Sequence, residues 1–513
     1  MVSNYLLLVG FFYLFSHGFL AIGGTRVPIL SNQDSLTAME LPVDSGCSFD
    51  DCFDDIGEHE EFEVKSTMAL NIRHRKETWP TDMVLESTAG DLNRIQTLHT
   101  RIVDRKKQKP ISRIKQDDPH QSQSSVFALA PSPESSFSGQ LMATLKSGVS
   151  LGSGEYQMDV FVGTPPKYFS LILDTGSDLN WIQCDPCYDC FEQKGPYYNP
   201  LKSSSFRNIS CHDPRCNLVS SPAPLTSRKN EDQSCPCFYW YGDFALETFM
   251  VNLMNASGRK SRFRKVENVM FGCGHWNKGL FHGAAGVLGL GRVPLSFSSQ
   301  LQPLYGDSFS YCLVDRNSNT ASKLVFGEDR DLINHPGLNF TKLVEGKENL
   351  VNTFYYVQIK SVVVDGEELH IPEETWNMST DGSGGVIIDS GTTLSYFADP
   401  AYKIIKEAFL KKVRGYEVVK DFPIMDPCYK ASKVDKLELP SFGFIFGDGA
   451  IWNFPVENYF IKLEPENMIC LALMGTPRSV LSIIGNYQQQ NFHILYDTKR
   501  SRPGFVQRKC DDI

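Results

Sequence analysis

Two aspartates carry the strongest chemical signal in this 513-residue chain. Asp174 ends the run Leu171-Ile172-Leu173 and leads into Thr175-Gly176-Ser177. Asp389 ends Val386-Ile387-Ile388 and leads into Ser390-Gly391-Thr392. Apolar runs of this kind read as short strands buried on both faces. A carboxylate at the end of a buried strand is costly unless it is paired, hydrogen-bonded or at work. Each copy is followed, about a hundred residues on, by an apolar-apolar-Gly element, Val287-Leu288-Gly289 in the first half and Ile483-Ile484-Gly485 in the second. Repetition on this scale predicts two related lobes, with the two aspartates meeting at a pseudo-twofold axis between them.

Two carboxylates at one site cannot both ionise cheaply, so the pair shares a proton. The ionised member can take a proton from a bound water, and the protonated member can donate to a carbonyl under attack. That chemistry is direct hydrolysis of an amide, without a covalent enzyme intermediate. The flanking residues suit it. Gly176 and Gly391 let backbone approach the carboxylates. Thr175 and Ser390 can reach across and lock the two loops, and Ser177 and Thr392 can hydrogen-bond the outer carboxylate oxygens.

The elements that must hold this pair are mostly strands. After Gly152 short apolar runs such as EYQMDVFVG, YFSLILD, KLVFG, MICLALMG and FHILYD alternate with turn residues, which predicts a β-rich body. Within it only PLSFSSQLQPLYG and DPAYKIIKEAFLKKV read as helices, the second with Pro400 near its start and Tyr402, Ile405, Phe409 and Val413 along one face.

The first part of the chain is different. An apolar stretch from Tyr5 to Phe15, broken by Ser16, His17 and Gly18, resembles a secretory signal cut near Gly23 and is short for a membrane span. Positions 40 to 63 hold ten acidic residues and no Lys or Arg, a composition that favours disorder. Between positions 86 and 115 eight Lys or Arg, Arg94 among them, face three acids. Leu92, Ile95, Leu98 and Ile102 give that region a helical period, so it reads as a basic amphipathic helix. A Ser-, Pro- and Gln-rich linker follows from Gln121 to Ser138. The expected organisation is a signal peptide at 1–23, a propeptide and linker at 24–145, an N-terminal lobe at 146–345 and a C-terminal lobe at 346–513. The basic helix would cover an acidic groove in the body.

The net charge of −10 gives a nucleic-acid partner no electrostatic support. No Gly-x-Ser-x-Gly elbow, phosphate loop or Gly-x-Gly-x-x-Gly supports a serine hydrolase or a nucleotide site. Cys184, Cys187 and Cys190 have the spacing of a zinc site, but behind a secretory signal the fourteen cysteines are expected mostly as disulfides, with the pairing left open. His212, His275 and His282 read as ordinary loop histidines. Asn208, Asn255, Asn339 and Asn377 are glycosylation sequons.

The paired DTGS and DSGT motifs, each with its apolar strand and its apolar-apolar-Gly partner, resemble the pepsin-type aspartic proteases over about Gly152 to Cys510. DLNWIQCDPCYDCFEQ, the cysteine-rich insert after it, FGCGHWNKGLF and FSYCLVD are similar to the plant nepenthesin-like branch. The resemblance implies a mostly β, bilobal fold with pseudo-twofold symmetry and an acid-active endopeptidase made as a zymogen. Asp174 and Asp389 would be catalytic, with Trp181 supporting the pocket behind the first loop. The expected partners are a peptide or protein substrate and the chain's own propeptide, with no metal or cofactor. The protein would act as a monomer free of the membrane, outside the cell or in a vacuole.

The flap departs from this pattern. FYWYGDFALETF matches the hairpin that closes over substrate, with Tyr241 as its tyrosine, but Phe244-Ala245-Leu246 follows at once where the family has a glycine- and polar-rich tip. A blunted flap would exclude water less well. Cys237 stands where an aromatic is expected, Val293 where the family tends to have glycine, and SSPAPLTSRKNEDQS lacks an expected cysteine. The same fold also serves non-catalytic binding proteins, secreted plant inhibitors of microbial glycanases among them. Those proteins tend to lose one aspartate motif, whereas both are retained here.

Overall fold

The computed structural model describes residues 79–107, 141–147 and, with short interruptions, 154–513. The signal segment, the acidic stretch, the linker, Cys47, Cys52 and Asn255 lie outside the described residues.

The body is built of strands, as the alternating texture predicts. One long sheet runs through the N-terminal half and takes in the C-terminal strands Phe492–Asp497 and Arg502–Gln507. The described part of this sheet begins at Leu141–Ser147, which pairs with Ser322–Phe326 and with Tyr156–Val162. The body therefore starts upstream of the boundary expected at 146. Leu141, Ala143 and Leu145 alternate inward into the core, which is why this strand belongs to the sheet rather than to the linker.

The duplicated sequence pattern is a duplicated pairing. Lys167–Asp174 lies parallel to Gly286–Gly289, with Leu173 beside Leu288 and Asp174 beside Gly289. Val386–Ile388 lies parallel to Ser482–Ile484, with Ile388 beside Ile484. The closing glycines are fixed by close approach. A Cβ on Gly289 would sit 2.5 Å from the Asp178 carbonyl oxygen, and one on Gly485 would sit 2.2 Å from that of Leu394. Each aspartate loop thus crosses over a strand end that only glycine leaves open.

Both helices expected in the body form, at Phe297–Tyr305 and Asp399–Lys412. A four-residue helix, Arg330–Ile333, was not foreseen; Asp329 caps it by accepting the Leu332 N–H. One turn is too short to show a period.

Twelve cysteines form six disulfides: Cys184–Cys273, Cys187–Cys190, Cys211–Cys235, Cys216–Cys237, Cys312–Cys510 and Cys428–Cys470. The zinc-like spacing of Cys184, Cys187 and Cys190 is thus shared between two disulfides. Cys237, unexpected at its position, is bonded to Cys216. The bond from Cys312 to Cys510 closes a span of 198 residues. Its removal by Cys510→Ser, with Cys312→Ser beside it, is expected to cost about 5 kcal/mol by loop-closure entropy. Denaturant unfolding of the two proteins would read that loss.

The N-terminal helix runs over Thr81–Lys107, longer than its apolar period suggested. Val84, Ile95, Leu98 and Ile102 are buried in a cluster with Phe354, Tyr356, Ile387, Leu394 and Tyr396. Leu92, expected on this face, is instead 53% exposed, and Asp91 is fully buried. The inward stripe is Val84, Thr88, Asp91, Ile95, Leu98 and Ile102, a regular alternation of four- and three-residue steps. Its polar members are there because of what they touch.

Candidate active site

The two aspartate loops repeat the same bonding, as a pseudo-twofold relation requires. Asp174 is 1% exposed and Asp389 fully buried. Gly176 donates its N–H to Asp174 Oδ1 at 2.8 Å, and Gly391 donates to Asp389 Oδ1 at 3.0 Å. Ser177 Oγ donates to Asp174 Oδ2 at 2.6 Å, and Thr392 Oγ1 to Asp389 Oδ2 at 2.6 Å. Beneath them the loops are cross-tied. Ser390 N–H donates to Thr175 Oγ1 at 2.9 Å, and Thr175 N–H donates to Ser390 Oγ at 3.1 Å. The Ser390 hydroxyl then donates to the Leu173 carbonyl at 2.9 Å. The two glycines permit the approach. A Cβ on Gly176 would come within 2.8 Å of Asp389 Oδ1, and one on Gly391 within 2.5 Å of Asp174 Oδ1.

The structure therefore joins Asp174, Thr175, Gly176, Ser177, Asp389, Ser390, Gly391 and Thr392 in one constellation. Trp181 packs behind the first loop, edge-on to Phe281 at 5.3 Å and to Phe191 at 6.1 Å. Tyr241 is not drawn in. Phe238–Tyr239 pairs back directly onto Gly242 and Asp243, so only two residues form the tip. Tyr241 is 54% exposed, its ring lies 6.3 Å from Tyr239, and its carbonyl accepts the N–H groups of His275 and Trp276. A hairpin this short leaves its tyrosine beside its own strand, and among the described residues no hydrogen bond joins Tyr241 to either aspartate.

A residue not assigned to the site fills it. The Arg94 guanidinium lies between the carboxylates. Nη1 donates to Asp174 Oδ2 at 2.9 Å, Nη2 donates to Asp174 Oδ1 and to both oxygens of Asp389 at 3.0 and 3.1 Å, and Nε donates to Asp389 Oδ2 at 3.1 Å. Nε also donates to Thr392 Oγ1 at 3.1 Å. One helical turn back, Asp91 accepts the N–H of Thr393 at 2.7 Å, the N–H of Leu394 at 2.9 Å and the hydroxyl of Tyr396 at 3.2 Å. The run of basic residues announced a helix drawn to acid. Nothing in it singles out Arg94 or Asp91.

Burial pushes the Asp174 carboxyl up, but the charge and hydrogen bonds of Arg94 outweigh it and hold the group below its usual range. Burial also raises Asp389; Arg94 opposes this and the facing Asp174 adds to it, leaving Asp389 above its ordinary value. The site thus splits two chemically alike carboxyls in opposite directions. Once the guanidinium leaves, they have the geometry to share one proton and activate a water between them.

Two lobes with duplicated aspartate loops, cross-tied through Thr175 and Ser390, define a pepsin-like bilobal aspartic peptidase. Residues 156–328 match the family described as xylanase inhibitor N-terminal, and residues 354–507 match the one described as xylanase inhibitor C-terminal. The chain is 38% identical over 376 residues to aspartyl protease family protein 2 of Arabidopsis thaliana, covering 72% of this chain and 74% of that protein. It is 38% identical to aspartic proteinase nepenthesin-1 of Nepenthes gracilis, over 71% of this chain and 80% of the other. Among solved structures, edgp superposes with a TM-score of 0.60 at 20% identity, covering 74% of this chain and 97% of that one. Conglutin gamma, a basic 7S globulin from lupine seeds, superposes at 0.58 and 20%, covering 73% and 98%. These two likenesses show the fold. The chain belongs to the plant aspartic protease family and is an aspartic endopeptidase acting on peptide or protein substrates.

Proposed function

We propose that this endopeptidase is made as a latent zymogen on the secretory route and becomes active in acid once the segment holding helix Thr81–Lys107 withdraws. The observation that carries this reading is the Arg94 guanidinium on Asp174 and Asp389, since no substrate carbonyl or water can occupy the same place. In the open cleft one aspartate accepts a proton from water while the other protonates the substrate carbonyl. Ser177, Thr392 and the N–H groups of Gly176 and Gly391 hold the carboxyls in register. Six disulfides favour an oxidising compartment, and outside the cell or a vacuole are the destinations that suit it. Asn208, Asn339 and Asn377 are exposed, as glycan acceptors must be. Among the described residues no helix is long and apolar enough to cross a membrane.

Digestion of an unfolded protein across pH 3 to 7, with and without pepstatin, tests the activity. Acid-dependent cleavage blocked by pepstatin is expected, and Asp389→Asn should lower it at least a hundredfold, because the amide cannot exchange the proton. A folded, processed protein that cuts nothing would favour a binding role on the same fold.

A further inference from the structure

The geometry points to a carboxyl-binding subsite in the open cleft, formed by the N–H groups of Thr393 and Leu394 and the hydroxyl of Tyr396, that selects peptide substrates with an Asp or Glu side chain close to the cut. The inference rests on the endopeptidase reading and says which substrates that enzyme prefers.

In the latent chain Asp91 occupies this socket. Its two oxygens take separate donors, Thr393 N–H on Oδ1 at 2.7 Å and Leu394 N–H on Oδ2 at 2.9 Å, with Tyr396 Oη also on Oδ2 at 3.2 Å. Tyr396 lies in the strand Ser395–Ala398, which pairs with Leu473–Thr476 and with Ile483, and the Thr393 carbonyl accepts the Tyr487 N–H at 2.9 Å, so the donors are held by the body and not by the helix. Residues 393 and 394 continue directly from Thr392, which bonds Asp389, so the socket is rigidly tied to the catalytic loop. The buried Arg316 adds positive potential to it, against the opposing charge of Glu155.

Three donors converging on two oxygens recognise a carboxyl better than an amide. A carboxyl presents two acceptor oxygens in either protonation state. The amide of Asn or Gln presents one, and its NH2 would face a backbone N–H that then loses its acceptor. The socket is also close to the chemistry. Asp91 is three residues from Arg94, about 4.5 Å along a helix axis. An extended peptide covers about 3.3 Å per residue, which sets the acidic side chain within two residues of the scissile bond.

The test uses the full chain carrying Asp91→Ala and Arg94→Ala, in which both sockets are vacated. Octapeptides with Asp or Asn at each position around one cleavable bond are compared by kcat/KM. The same peptides are then compared by Kd with Asp389→Asn added to prevent turnover. At one position the acid should be preferred about tenfold by both measures. Tyr396→Phe should shrink that acid-to-amide ratio more than it changes the rate on the amide peptide. Binding with this preference but no hydrolysis would overturn the endopeptidase reading and leave the subsite standing. Hydrolysis with acid and amide within twofold at every position would overturn the subsite, the donors then serving a main-chain carbonyl. Failure to bind any of the peptides would overturn both.

Discussion

Full-length protein carrying Arg94→Ala is expected to hydrolyse an unfolded substrate at pH 5.5 before any shortening of the chain is visible on a gel, while the unaltered chain stays latent. Arg94 supplies the only charge set between Asp174 and Asp389 among the described residues, and its fork reaches all four carboxylate oxygens. Breaking a buried pair of this kind costs about 3–5 kcal/mol when the partner is left charged and alone. Here the partners are two carboxyls that can share a proton, which relieves part of that cost and places the loss near the lower figure. The docking equilibrium should still shift by at least about a hundredfold. The rest of the helix does not compensate. Burial of Val84, Ile95, Leu98 and Ile102 favours docking, but the conformational entropy lost in ordering Thr81–Lys107 opposes it. Arg94→Lys should fall between the two proteins, because an ammonium is a point charge and cannot span four oxygens in one plane. If Arg94→Ala were as latent as the unaltered chain, the bulk of the helix and not its guanidinium would be the lock.

The contrast between what could and could not be read ahead follows from where each partner lies in the chain. The aspartate loops were legible because they carry their own chemistry: Gly176 and Ser177 serve Asp174 from two and three residues away, and the second copy repeats this. Their meeting was legible because the repeat fixed the symmetry. Arg94 finds Asp389 across 295 residues, and no local pattern encodes that distance. The period of the helix was visible, but its phase was not. Leu92 lies next to Asp91 in sequence, and hydropathy places the leucine inside. The socket made by Thr393, Leu394 and Tyr396 reverses the choice, because its three donors need an acceptor that a leucine cannot supply. The run Tyr241-Gly242-Asp243-Phe244 is visible in the sequence, but the position of Tyr241 follows only from the pairing of Phe238–Tyr239 with Gly242 and Asp243.

Latency is expected to tighten, not relax, as the pH falls from 7 to about 4, and to fail only in stronger acid. Burial under the helix pushes the Asp91 carboxyl up to about 7, against the pull of the Leu394 and Thr393 N–H groups and of Arg316, and with a push from Glu155. Released into water, the group returns to its ordinary 3.8. The docked state therefore binds a proton that the released state does not. For a raised carboxyl the contribution to docking is complete below 3.8 and is lost as the pH rises through about 7. Across that window it amounts to about 4 kcal/mol, or roughly a thousandfold. Asp174 has the opposite sign. Arg94 holds it below 3.8, so its contribution is complete above that value and disappears as protons displace the guanidinium in stronger acid. Asp389 is raised by burial and by Asp174 while Arg94 pulls it down, so the guanidinium favours the charged form of both aspartates. The rate at which the full chain loses its N-terminal segment should thus fall between pH 7 and 4 and rise steeply below. Asp91→Asn should flatten the first limb and leave the second, since an amide carries no proton equilibrium into the socket. A processing rate that climbed steadily from pH 7 to 4 in the unaltered chain would show that Asp91 docks as a carboxylate, its charge held by the three donors strongly enough to cancel its burial.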